Sequence, residues 1–317
     1  EVVLSNGELV TLGDPTGESF GYDLRGVFVG SEGTLGIATR VAVRLLPLPE
    51  AKRTLVADFR SPPEAGAAVS AIIAAGIIPA AVEMLDTLAI EACEAATGAG
   101  YTVGAGAALV VELDGPEAGL DEEFARVREL CETSGAGKIR VADTDAERRL
   151  IWKGRKAAFA AMGRIAPNYF VQDGVIPRTR LGAVLTQIAD LGQQAGLRVA
   201  NVFHAGDGNL HPLILFDANE PGELERAEAF GADILKLCVE VGGCLTGEHG
   251  VGVEKRDLMP EMFSEDDLKQ QQRVKCAFDP NHLLNPGKVF PTLHRCAELG
   301  RMHVHRGQLP FPDIPRF

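Results

Sequence analysis

Residues 199–216, VANVFHAGDGNLHPLILF, set two apolar runs on either side of a glycine-dense turn. The runs 199–204 and 211–216 have the length and β-branched content of strands, and Asp207-Gly208 is a two-residue hairpin signal. With that pair at the turn centre, Gly206 faces Asn209, Ala205 faces Leu210 and His204 faces His211. Directly opposed residues share a face, with Cβ atoms roughly 5 Å apart. Without the turn, their odd spacing would put the two imidazoles on opposite faces. Two histidines so placed can ligate one metal ion. The plainer alternative is a pair of hydrogen-bonded, partly exposed histidines at a hairpin base.

Working outward, strands and helices alternate. Runs 54–59, 81–85, 107–113 and 169–176 read as strands. Helices are expected over 64–75, 87–96, 121–134, 179–195, 223–241, 252–263 and 266–278. Leu181, Val184, Leu185, Ile188 and Leu191 form one apolar stripe, and Leu224, Ala227, Phe230, Ile234 and Leu237 another. Short strand–helix units of this kind predict an α+β fold: an antiparallel, ferredoxin-like plait with helices on one face. Upstream, Asn6-Gly7 marks a hairpin, and 37–46 is strand-like before the Pro47/Pro49 linker. A chain that opens inside a hairpin suggests a start in mid-domain. The expected organisation is therefore 1–46 as the end of an upstream domain, 47–290 as the main domain and 291–317 as an irregular tail. That tail carries Leu309, Phe311, Ile314 and Phe317, and docking on a partner or packing on its own domain would both account for them.

With 31 Lys and Arg against 44 Asp and Glu, the net charge is −13, which argues against a nucleic-acid-binding footprint, since that needs a basic stripe on one face. No apolar run reaches the ~18 residues of a membrane span. The six cysteines lie in apolar stretches without a C-x-x-C pair, which argues against a zinc ribbon or an iron–sulfur cluster on this chain. A reduced, cytoplasmic compartment is expected.

Other chemistry-bearing runs follow. Gly247-Glu248-His249-Gly250 adds a carboxylate and an imidazole on pliable backbone. With His204 and His211, Glu248 would complete a two-histidine, one-carboxylate set suited to zinc, manganese or iron, leaving His249 as a base. A polar helix start is the alternative for Glu248-His249. Arg155, within 152–156 (WKGRK), could grip a small carboxylate or lie on a solvated basic face. Gly30-Ser31-Glu32-Gly33-Thr34-Leu35-Gly36 fits neither a Walker loop nor G-x-G-x-x-G.

The run at 30–36 resembles the G-S-E-G-T-L-G element of vanillyl-alcohol-oxidase-type FAD enzymes. The runs 204–211, 247–252 and 285–288 resemble, in that order, the C-terminal signature of FAD-linked D-2-hydroxyacid dehydrogenases. The stretches FHAGDGNLHPLILFDANEPGE and PTLHRCAELGRMHVHRGQLPFP are similar to the glycolate oxidase branch. The resemblance implies FAD-dependent oxidation of a small 2-hydroxyacid such as glycolate. It implies His204, His211 and Glu248 as divalent-metal ligands, His249 as catalytic base and Arg155 on the substrate carboxylate. Gly30, Ser31, Glu32, Gly33, Thr34, Gly36, Ile37 and Asn285 would line the flavin. Residues 1–46 would then be the remnant of a truncated FAD-binding domain, since that domain's pyrophosphate loop is missing, and the 317-residue chain by itself would be inactive. Electrons would leave through other glycolate oxidase subunits, including an iron–sulfur subunit, and any membrane association would come through them.

Two departures bear on the substrate. The strand around 169–173 lacks the lysine that 2-hydroxyglutarate relatives use on a distal carboxylate, and Leu213 replaces their asparagine. Both favour a small monoacid, glycolate or D-lactate. The rival readings are a D-lactate dehydrogenase, a non-catalytic assembly subunit, and a metal-dependent hydrolase that would leave 30–36 and 285–288 without a role.

Overall fold

The computed structural model describes residues 1–14, 16 and 21–291. The expectations for the tail, including Leu309, Phe311, Ile314 and Phe317, lie outside the described residues. The chain divides into two compact units, one built from residues 1–45 and the described residues after 249, the other from Leu46–His249.

The first unit opens with β1 (Val2–Val3) and β2 (Leu9–Val10), the hairpin expected around Asn6-Gly7, followed by α1 (Leu24–Phe28) and β3 (Ile37–Ala38). β1 is central, with Val3 facing both Leu9 and Ile37. The strand expected over 37–46 ends at Ala38, because β1 is only two residues long and offers no further ladder.

The second unit contains β4 (Ala51–Phe59), α2 (Pro62–Ala74), β5 (Ala81–Asp86), α3 (Thr87–Thr97), β6 (Ala107–Gly115), α4 (Leu120–Thr133) and β7 (Lys138–Val141). It continues with α5 (Asp145–Lys156), α6 (Ala158–Met162), β8 (Asn168–Val171), β9 (Gly174–Val175), α7 (Leu181–Ala195), β10 (Arg198–His204), β11 (Asn209–Leu210), β12 (Pro212–Phe216) and α8 (Glu223–Glu240). The sheet is antiparallel, in the order β7-β4-β6-β5-β10-β11-β9, with β12 joining β10 to β8.

Helices cover both faces of this sheet, which corrects the one-face expectation. Leu55, Ala57, Leu109 and Val111 point toward α2, α4, α7 and α8. Their neighbours Val56, Ala108 and Val110 point toward α3, α5 and α6. Period-2 geometry sends successive side chains to opposite faces, so a strand such as AALVVELDG must be apolar on both. That continuity is the sequence mark of a sheet covered twice. In the α7 stripe Leu181, Val184, Leu185 and Ile188 are buried as expected and Leu191 half-buried, but Leu224 at the start of α8 is 43% exposed.

The first unit resumes with α9 (Met259–Met262) and α10 (Glu265–Phe278). Of the helix expected over 252–263, a 3-10 turn at Arg256–Leu258 and the short α9 that follows it are formed, with Gly252 at φ 55 interrupting the backbone upstream. Among the described residues no helix is long and apolar enough to cross a membrane.

Candidate active site

His204 ends β10 on the face shared with α3, α5 and α6, since its period-2 partner Val202 belongs to that core. The register differs from the expected one. His204 faces Asn209 rather than His211, and Asn201 faces Pro212. The loop therefore runs from Ala205 to Gly208, with the Asp207 N–H donating to the His204 carbonyl at 3.1 Å. A third strand sets this register. β11 pairs with β9, and the Ile176 N–H donates to the Gly208 carbonyl at 3.0 Å. A slip of two residues keeps each side chain on its face. His204 and His211 thus remain neighbours, ring centroids 5.3 Å apart.

Glu248 and His249 lie on a loop, not at a helix start. Asp173, in the break between β8 and β9, organises that loop. Its fully buried carboxylate accepts from the Thr246 hydroxyl (2.7 Å) and from the backbone N–H groups of Gly247 (3.1 Å), Glu248 (3.1 Å) and His249 (3.0 Å). Gly247 is required by space: a Cβ there would sit 2.4 Å from the Asn209 side-chain oxygen.

The result is a convergence of acceptors. Glu248 Oε1 lies 3.2 Å from His211 Nε2 and 3.7 Å from His204 Nε2. One ligand atom from each of His204, His211 and Glu248 lies within 4.8 Å of the others. Asp173, His211 and His249 form an overlapping group, but the Asp173 oxygens are already occupied by the donors above. The His211 ring is 2% exposed, and neither of its nitrogens has a hydrogen-bond partner. Burial pushes its pKa down to about 4, so it is a neutral imidazole at pH 7. A buried imidazole with unsatisfied nitrogens, facing a carboxylate, suits a divalent cation on chemical grounds. His249 stacks on His211 at 5.0 Å between ring centroids, with its side chain half exposed.

Glu83 and Asp173 were absent from the sequence reading. Glu83 lies directly across from His204 in the β5–β10 ladder and is buried. Its Oε1 is 2.7 Å from His204 Nδ1, while its Oε2 accepts from Arg155 Nε (3.0 Å) and lies 2.9 Å from Nη2 in an ion pair. Burial opposes the Glu83 charge, but the His204 hydrogen bond and the Arg155 charge hold its pKa below the usual value. The same hydrogen bond raises that of His204. Arg155 is 7% exposed, which removes the solvated-face alternative. A charged residue inside an otherwise apolar strand was the available signal for Glu83. For Asp173 it was the Gln-Asp-Gly interruption of an apolar run.

Residues 48–289 match the family model for FAD linked oxidases, C-terminal domain. The chain belongs to the FAD-linked oxidases. It is 56% identical over its full 317 residues to glycolate oxidase subunit GlcD of Escherichia coli K12 and spans 64% of that protein's length. Over 291 residues it is 37% identical to the subunit GlcD of Bacillus subtilis, covering 92% of this chain and 62% of the relative. The fold resembles 4-ethylphenol oxidase from Gulosibacter chungangensis, with a TM-score of 0.70 at 17% identity, over 92% of this chain and 65% of that one.

In this FAD-linked oxidase the glycine-rich run at 30–36 belongs to the first unit. Gly30 and Gly33 are exposed at φ 82 and 71, with Ser31 and Glu32 half-buried and Ile37 and Asn285 exposed. Bare, exposed backbone of this kind suits close approach of a planar ring. Thr34 and Gly36 are buried. A Cβ on Gly36 would lie 2.5 Å from Val2 and 3.0 Å from Phe28, so packing accounts for that glycine. The Glu32 carboxylate accepts from the Val251 (2.7 Å) and Gly252 (2.8 Å) N–H groups, while Asn285 Nδ2 donates to the Glu32 carbonyl.

Proposed function

We propose that this chain supplies the substrate-side machinery for FAD-dependent oxidation of a small 2-hydroxyacid, glycolate or D-lactate, to the 2-oxoacid. The observation that supports this most is the approach of His204, His211 and Glu248 beside His249, with the His211 nitrogens buried and without a hydrogen bond. His204, His211 and Glu248 would hold a divalent cation: zinc, manganese or iron. Such a cation, when bound, lowers the pKa of a coordinated oxygen such as the substrate's 2-hydroxyl. The flavin supplies the hydride acceptor, and Gly30, Ser31, Glu32, Gly33, Ile37 and Asn285 are assigned to its wall, whereas Thr34 and Gly36 are buried and serve packing instead.

The half-exposed His249 takes the hydroxyl proton on its imidazole. A guanidinium has five N–H donors. Glu83 engages two nitrogens of Arg155, and the donors that remain are assigned to the substrate carboxylate, where they would fix the Cα–H for transfer. Leu213 is fully buried in apolar surroundings, which favours a substrate without a distal polar group. Residues 1–46 are assigned to the FAD-binding domain and 47–290 to the substrate domain. The order β7-β4-β6-β5 supports reading the first half of the sheet as a ferredoxin-like plait. Electrons would pass to glycolate oxidase partner subunits, an iron–sulfur subunit among them, in a cytoplasmic complex whose membrane association comes through those partners.

The test is a panel of 2-hydroxyacids with an artificial electron acceptor, run on the full-length protein before and after chelator treatment. Turnover of glycolate or D-lactate that falls on chelation and returns with added metal is expected. No turnover of any 2-hydroxyacid would overturn the reading.

A further inference from the structure

We propose that Glu83 is a positioning residue that sets the tautomer and aim of His204 and couples it to Arg155. The inference rests on the metal site proposed above. One buried carboxylate spans both groups, with Oε1 2.7 Å from His204 Nδ1 and Oε2 2.9 Å from Arg155 Nη2. Glu83 and Arg155 have side chains 8% exposed, so the contact is formed away from bulk water. A carboxylate at Nδ1 keeps the proton on that nitrogen. The Nε2 lone pair is then left facing Glu248 Oε1 at 3.7 Å, the side on which His211 Nε2 also lies. A neutral imidazole lone pair opposed to a carboxylate is the arrangement a cation resolves.

Arg155 is the second half of the device. The guanidinium shares the Glu83 charge and braces the other oxygen, so the carboxylate cannot rotate. Backbone pairing supports the alignment, since His204 and Glu83 are register partners between β10 and β5. A sheet position is more rigid than a loop position, which suits a group that must aim another.

The experiment measures zinc and manganese dissociation constants by competition with a chromogenic chelator, using full-length wild-type, Glu83→Gln, His204→Ala and the double variant. Outer-shell partners of metal-binding histidines typically contribute ~10–100-fold in affinity. Glu83→Gln preserves shape and an acceptor oxygen, so a loss of about that size would report the charge rather than a packing defect, and a thermal melt of each variant confirms folding. In the His204→Ala background, Glu83→Gln is expected to add no further loss, because it acts through that imidazole. Wild-type affinity in Glu83→Gln would overturn the inference while leaving the metal site standing. So would an equal loss in both backgrounds. Absence of metal binding in the wild-type protein would overturn the proposed site and this inference with it.

Discussion

Replacing Arg155 by Met removes a buried cation from a carboxylate that has little access to water. The two side chains are each 8% exposed, so the loss cannot be discounted as a surface pair would be. Breaking one partner out of a buried pair costs about 3–5 kcal/mol. The His204 contact to Glu83 survives at 2.7 Å and can share the charge, which places the expected loss near the lower end, about 3 kcal/mol. For a unit of this size each kcal/mol moves the midpoint by roughly 2–4 °C, so Arg155→Met should lower Tm by about 6–12 °C. Adding Glu83→Gln removes the stranded charge and should recover most of that loss, because a buried pair replaced on both sides is often neutral. Differential scanning calorimetry of full-length wild-type, single and double variants measures both steps. A single-variant shift within the ~0.5 kcal/mol typical of a surface change would refute the reasoning, as would a double variant no more stable than the single.

His249→Ala should lower kcat by ~10²–10⁴ with a smaller change in KM, the mark of a lost general base; steady-state kinetics on glycolate will read it. Gly247→Ala drives a Cβ toward Asn209 and should cost about 1–3 kcal/mol of overpacking, with displacement of Glu248 seen as reduced metal content by elemental analysis. In metal-free protein, His211 has a folded pKa of about 4 against 6.5 unfolded. Its contribution is therefore complete above pH 6.5 and lost as pH falls toward 4, about 3 kcal/mol in all. Asp86 works with the opposite sign, since burial raises it to about 6 and protonation favours the fold below that pH. Urea unfolding at pH 7 and pH 4 should accordingly show wild-type losing stability relative to His211→Gln but gaining relative to Asp86→Asn.

Much of this protein is written in local pattern. The α7 stripe of Leu181, Val184, Leu185 and Ile188 reports a helix face because periodicity depends only on near neighbours. His204, His211, Glu248 and His249 stand out by residue type and by glycine-dense surroundings, and their loops could be placed from turn chemistry. The tertiary structure decided what depends on distant strands. The hairpin register follows from β9, which lies across β11, so counting outward from Asp207-Gly208 gives the right face and the wrong partner. The second helical layer exists because α5 and α6 return to the reverse side of the sheet, which no single strand announces beyond its unbroken hydrophobicity. Glu83 meets His204 across 121 residues of chain, and Asp173 gathers Thr246 through His249 from more than 70 residues away. Such contacts carry no sequence spacing. They arise when buried polar groups, brought together by packing of the apolar layers, must find partners within the protein rather than in water.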